Sequence, residues 1–141
     1  MTLDVFQQQQ CDLQGRLFES LDRRAIDAKV FIKAFMLSKA AAHLDLPFDH
    51  LQWAGNEYVW QEVCEEAGLL PVDNPPRYNT EALYFAGYLT RYWHYLTGET
   101  MREIYAQCDE NLLLEGYAFH SEAAEMAIED LKSIAARKKN S

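Results

Sequence analysis

The sequence predicts an all-α protein, a single compact bundle of about five or six helices forming one domain over residues 1–141. Three observations carry this. Six glycines and four prolines make up the breakers in 141 residues, and they fall between segments of helical periodicity. Apolar side chains recur at three- and four-residue spacing, and no run alternates apolar and polar long enough to make a strand. Hydrophobic residues are 49% and charged residues 25%, the balance of a chain that buries a core.

Residues 3–21 form the first helical segment, with a glutamine run at 7–10 and an interrupting Gly15. Phe6, Leu13, Leu17, Phe18 and Leu21 make only an incomplete apolar stripe. Residues 1–24 therefore read as a candidate N-terminal arm that docks on the body or pairs with another copy, with the glutamines on a solvated face.

Residues 27–44 are far more apolar. Val30, Ala34, Leu37, Ala41 and Leu44 repeat at helical spacing, and Phe31 and Phe35 widen the stripe. The helix should be central to the core and end before Asp45-Leu46-Pro47, because proline disfavours helical geometry in the residue before it. A short turn at 49–54 closes at Gly55. Asn56 then caps a helix to Ala67, with Gly68 as a left-handed stop and Tyr58, Val59, Val63 and Ala67, with Trp60, facing inward. Residues 72–78 carry two prolines and read as a loop.

Asn79 or Thr80 caps the next helix, which ends at Thr97-Gly98. Thr100 and Glu103 have the spacing of a capping box for a short helix over 100–107. A turn at 111–114 precedes Gly116. The last helix starts near Ser121 or Glu122 and turns Ala124, Ala127, Ile128, Leu131, Ile134 and Ala135 inward. Its end carries Arg137, Lys138 and Lys139, which suit the negative pole of a helix.

Thirteen basic against 22 acidic residues give a net charge of −9. That balance argues against a nucleic-acid partner, whose phosphates need a basic face, and suits a basic protein partner. No stretch approaches the ~18 apolar residues of a membrane span, and no leader-like N-terminus is present, so no membrane partner and a cytoplasmic location are expected. Cys11, Cys64 and Cys108 are far apart and lack metal-ligand spacing, so they read as buried thiols, with neither metal nor cofactor expected. No glycine-flanked nucleophile or phosphate loop marks a catalytic residue.

Residues 84–95 hold six aromatic rings, one arginine and one histidine within about three helical turns. On a helical wheel Phe85, Leu89, Trp93 and Leu96 fall to the core. Tyr84, Tyr88, Arg91 and Tyr95 form a second stripe, and Gly87, Thr90, Arg91 and His94 a third. Gly87 lets another helix or a ligand come close. Arg91 is expected to lie against the rings of Tyr88 and Tyr95 with its donors held in one direction. Three uses compete: an internal pair with a carboxylate such as Glu103, a protein–protein hot spot, or a small-anion site. The candidate binding residues are Tyr88, Arg91, His94, Tyr95 and His120, the histidines being the available proton carriers. His43 and His50 read as surface residues.

The segments Gly87–Tyr105 (GYLTRYWHYLTGETMREIY), 115–120 (EGYAFH) and 125–131 (EMAIEDL) resemble a family of small uncharacterised bacterial helical proteins encoded beside ADP-ribosyltransferase-like toxins. The resemblance covers about a third of the chain, and its motifs are structural rather than catalytic. This chain adds a long N-terminal half and has Ser121 where many members carry threonine. The resemblance implies an antitoxin-like or accessory role with a toxin as partner. Two functional expectations follow. One is a non-enzymatic regulatory protein that binds another protein, or a second copy of itself. The other is a small anionic-ligand or enzyme domain using Arg91 with His94 or His120.

Overall fold

The fold is organised around its longest helix, which runs through the middle of the molecule. A computed structural model describes residues 2–140, and among these every regular element is helical. The elements are α1 (Val5–Glu19), α2 (Ala28–Met36), α3 (Lys39–Leu44), α4 (Asn56–Ala67), α5 (Thr80–Thr97), α6 (Met101–Gln107), α7 (Glu110–Glu115) and α8 (Ala124–Lys139). Single 3₁₀ turns cover Ser20–Arg23, His50–Trp53 and Gly116–Phe119. The all-α expectation holds, but with eight α-helices in place of five or six.

The extra helices have local causes. The expected 27–44 helix divides at Ser38, whose backbone is extended (ψ 159°). Its hydroxyl donates to the Phe35 carbonyl at 2.7 Å and accepts from the Ala41 amide at 3.0 Å, closing one helix and opening the next. The expected turn at 111–114 is a full helix because the Asp109 carboxylate caps the Leu112 amide at 3.0 Å.

That division also turns the core face. α2 buries Phe31, Ile32, Phe35 and Met36, whereas Val30, expected inside, is 49% exposed. In α4 Gly55 is the N-cap (φ 90°), and Asn56 instead donates to the Leu13 carbonyl at 2.9 Å, tying α4 to α1. Val59 and Val63 are buried, while Tyr58 and Ala67 face solvent. Gly68 adopts the expected left-handed stop (φ 64°).

The first helix docks on the body. α1 lies along α5 in the most extensive helix–helix contact of the molecule. It buries Cys11, Leu17 and Phe18, and fills the gaps in its apolar stripe with buried Gln10, Gln14 and Gly15. Two glycines permit the approach. A Cβ on Gly87 would stand 2.3 Å from the Gln14 carbonyl oxygen, and one on Gly15 would stand 2.7 Å from the Tyr84 ring. Gly87 thus admits a helix rather than a ligand.

The remaining helices close around α5. Asn79 caps it through the Glu81 and Ala82 amides, and Gly98 (φ 80°) ends it. The Thr100–Glu103 capping box forms as expected. α8 starts at Ala124 and buries Ala127, Ile128 and Leu131. No helix among the described residues is long and apolar enough to cross a membrane.

Candidate functional site

Arg91 sits in the core. Its side chain and that of Asp45 are 3% and 5% exposed, and they meet at 2.7 Å. Nε also donates to Gln14 Oε1 at 2.9 Å, and Nη1 to the Leu44 carbonyl at 3.3 Å. The other Asp45 oxygen accepts the Met101 amide at 3.0 Å, so one carboxylate both neutralises Arg91 and caps the start of α6. The internal-pair expectation is therefore met with Asp45 as the partner. Glu103, named beforehand as a possible partner, is occupied with Thr100. Gln14, from α1, completes the set: its amide donates to the Gly87 carbonyl at 3.0 Å and to Thr90 Oγ1 at 2.8 Å. A buried ion pair of this kind stabilises when its remaining hydrogen bonds are met, and costs stability when one partner is removed.

Of the five candidate binding residues, His94 and Tyr95 lie side by side while the others take separate places. Arg91 offers its charge to Asp45 rather than to an outside partner, and its contacts are polar side chains and carbonyls rather than the Tyr88 and Tyr95 faces. Tyr88 is half-buried and stacks on Tyr92 at 6.4 Å between ring centres. His94 holds the Glu99 carbonyl at 2.7 Å; a carbonyl only accepts, so Nδ1 carries the proton. Asp45 Oδ1 lies 3.7 Å from the same nitrogen. Tyr95 is half-buried, and burial pushes its phenol up to about 12. His120 stacks on Tyr117 at 4.2 Å, and Tyr117 donates to Glu81 near the start of α5. Glu81 and His94 are roughly 20 Å apart along the helix axis, so the two histidines do not form one site.

Tyrosine–carboxylate bonds tie several elements together. Tyr84 donates to Asp12, Tyr92 to Glu125, Tyr105 to Glu110, Tyr117 to Glu81 and Tyr78 to Asp27. Near the end of α5, Glu99 accepts from Trp93 Nε1 at 3.0 Å and Lys132 Nζ at 2.9 Å, with Gln107 also donating. Burial alone would raise this carboxyl, but the hydrogen bonds from Trp93, Lys132, Gln107 and Thr97 together hold it at about 2.

A different surface is left open beside His94 and Tyr95. Leu46, Pro47, Phe48 and Trp53, together with Asp4, Phe6, His94 and Tyr95, line a groove of about 560 Å³. Phe48 is 90% exposed, Trp53 66% and Leu46 50%. Trp53 leans on Phe6 with ring centres 5.4 Å apart. The segment is anchored from behind. Asp45 is held by Arg91, Leu51 is buried, and the Gln52 amide donates to the Leu46 carbonyl at 2.6 Å. Asp49 caps the His50–Trp53 turn through the Leu51 amide at 2.9 Å. With Leu51 and Gln52 facing in, Phe48 and Trp53 face out.

Sequence reasoning missed this groove. A signal existed: two large aromatics in a proline-containing connection, where chain runs over the surface. Among the described residues no group of three or more histidines, cysteines or carboxylates could hold a metal ion. The three thiols are unpaired, and burial pushes Cys11 and Cys108 up to about 12, away from reactivity. Comparison with protein-family models, with curated proteins and with solved structures finds no match for the chain.

Proposed function

We propose that this chain is a small regulatory protein that acts by binding another protein, whose segment docks in the groove beside His94 and Tyr95. The observation that carries the reading is the pair Phe48 and Trp53, 90% and 66% exposed on the groove wall of a chain that sinks most of its other rings. Exposed aromatics flanking a groove supply the apolar anchor of a hot spot. The net charge of −9, with Asp4 on the rim, selects a basic segment that carries apolar side chains. The resemblance of residues 84–131 to proteins encoded beside toxins makes the product of an adjacent toxin gene the partner to test, in an antitoxin-like or accessory role.

The test is co-expression with that gene product followed by calorimetric titration of the purified pair. A complex is expected, and Phe48→Asp with Trp53→Asp should weaken it at least ~10-fold without lowering the melting temperature. No complex, or equal affinity in the double variant, rejects the proposal. The small-anion reading draws no support from the geometry, since Arg91 is neutralised by Asp45 and His120 lies at the opposite end of α5.

A further inference from the structure

We infer that the interior cavity beside Arg91 binds an ordered water molecule that bridges Arg91 Nη2 to Gln52 Oε1. Hydrogen-bond accounting leads there. A guanidinium has five N–H donors and no acceptor. Three are placed: Nε on Gln14, and Nη1 on Asp45 and the Leu44 carbonyl. Nη2 has no protein partner although Arg91 is 2% exposed. Gln52, 5% exposed, shows the complementary lack. Its Nε2 donates to the Leu46 carbonyl at 2.6 Å and the Leu44 carbonyl at 3.4 Å. Carbonyls only accept, so the amide orientation is determined and Oε1 is the atom without a donor.

Both side chains line one small cavity of about 30 Å³, with Leu17, Phe35 and Val59 among its walls. A single water needs about 10–15 Å³. Water accepts from one Nη2 N–H and donates to Oε1 at the same time, which gives each of the two atoms a partner. An anion would accept from the arginine but face the Gln52 oxygen, adding a charge to a pair that Asp45 already neutralises. An apolar occupant would satisfy neither atom. The other polar groups around the cavity have partners, with Asn56 on the Leu13 carbonyl and Gln10 on the Gln52 carbonyl.

The bridge also bears on the groove. Gln52 borders both the cavity and the groove. The water is then a further link, beside Asp45 and the Leu44 carbonyl, between α5 and the segment that carries Phe48. The inference does not depend on the proposed partner.

High-resolution crystallography of the full chain tests it, with oxygen-17 relaxation dispersion as a second measurement. Electron density for one water within hydrogen-bonding distance of both Nη2 and Oε1 is expected. Gln52→Met removes the acceptor at similar volume and should reduce the dispersion amplitude by that of about one long-lived water. Tyr117→Phe, remote from the cavity, should leave it unchanged. Should Gln52→Met fail to fold, the density in the unaltered chain decides. Absence of density between the two atoms, direct contact of Nη2 with Oε1, or equal amplitude in the unaltered chain and Gln52→Met overturns the inference.

Discussion

In α5 the phenols of Tyr84 and Tyr92 end on the carboxylates of Asp12 and Glu125, and the buried indole of Trp93 donates to Glu99 at 3.0 Å. One short segment away, Phe48 and Trp53 stand 90% and 66% exposed. The two regions use similar side chains to opposite effect. On α5 Tyr84, Tyr92 and Trp93 bury their bodies and find internal acceptors for their tips, so these three rings lock helices together. In the 45–53 segment the backbone is pinned from behind by Arg91 and Gln52, which leaves the rings on the outer side. Aromatic density along a chain therefore marks where a fold is tied, and a surface emerges where rings stay exposed, as Phe48 and Trp53 do.

The comparison breaks most severely at Asp45. Replacing it with alanine strands the Arg91 charge in the core and should lower unfolding free energy by about 3–5 kcal/mol, read by urea denaturation. The double change Asp45→Leu with Arg91→Met should recover much of that loss. If Asp45→Ala costs under about 1 kcal/mol, the ion pair is not what anchors the groove wall. Gly87→Ala comes next, at about 1–3 kcal/mol, because the new methyl meets the rigid backbone of Gln14. Gly15→Ala should cost less, since the Tyr84 ring that it meets can shift.

Acid should loosen the α5–α8 side. The Glu99 carboxyl drops from its ordinary 4.5 to about 2 in the folded chain. Its stabilisation is thus fully present above about pH 4.5 and lost as the pH falls toward 2. Asp12 and Glu125, on which Tyr84 and Tyr92 donate, shift in the same direction. The melting temperature should fall across that window, and Glu99→Gln should flatten part of the slope; an unchanged slope would remove Glu99 from the clamp. The smallest effect belongs to Phe48→Ala, expected within about 0.5 kcal/mol of the unaltered chain. A larger loss by thermal melt would mean that Phe48 is held by the fold, and the contrast between the two regions would fail.

Much of the local architecture was legible beforehand. Gly68 and Gly98 stop their helices, Asn79 caps α5, and Thr100 with Glu103 opens α6, because each signal acts within a few residues. Ser38 was overlooked, and with it the break that rotates α2 and leaves Val30 outside. The site was less legible. Arg91 was singled out correctly as a special residue on an aromatic helix, but its partners Asp45 and Gln14 lie 46 and 77 positions away. Phe48 and Trp53 drew no notice, because exposure depends on what the rest of the chain leaves uncovered.

By itself the sequence determined the helical class, most of the helix ends, the acidic balance and the inward face of α8, since periodicity and capping are local properties of the backbone. Only the tertiary structure decided that α1 docks along α5, that Gly87 receives a helix, that Arg91 is neutralised within, and that the open aromatic surface lies on the 45–53 segment. Those outcomes rest on packing and ion pairing between residues far apart in the chain, where burial sets both the energy of a charge and the fate of a ring.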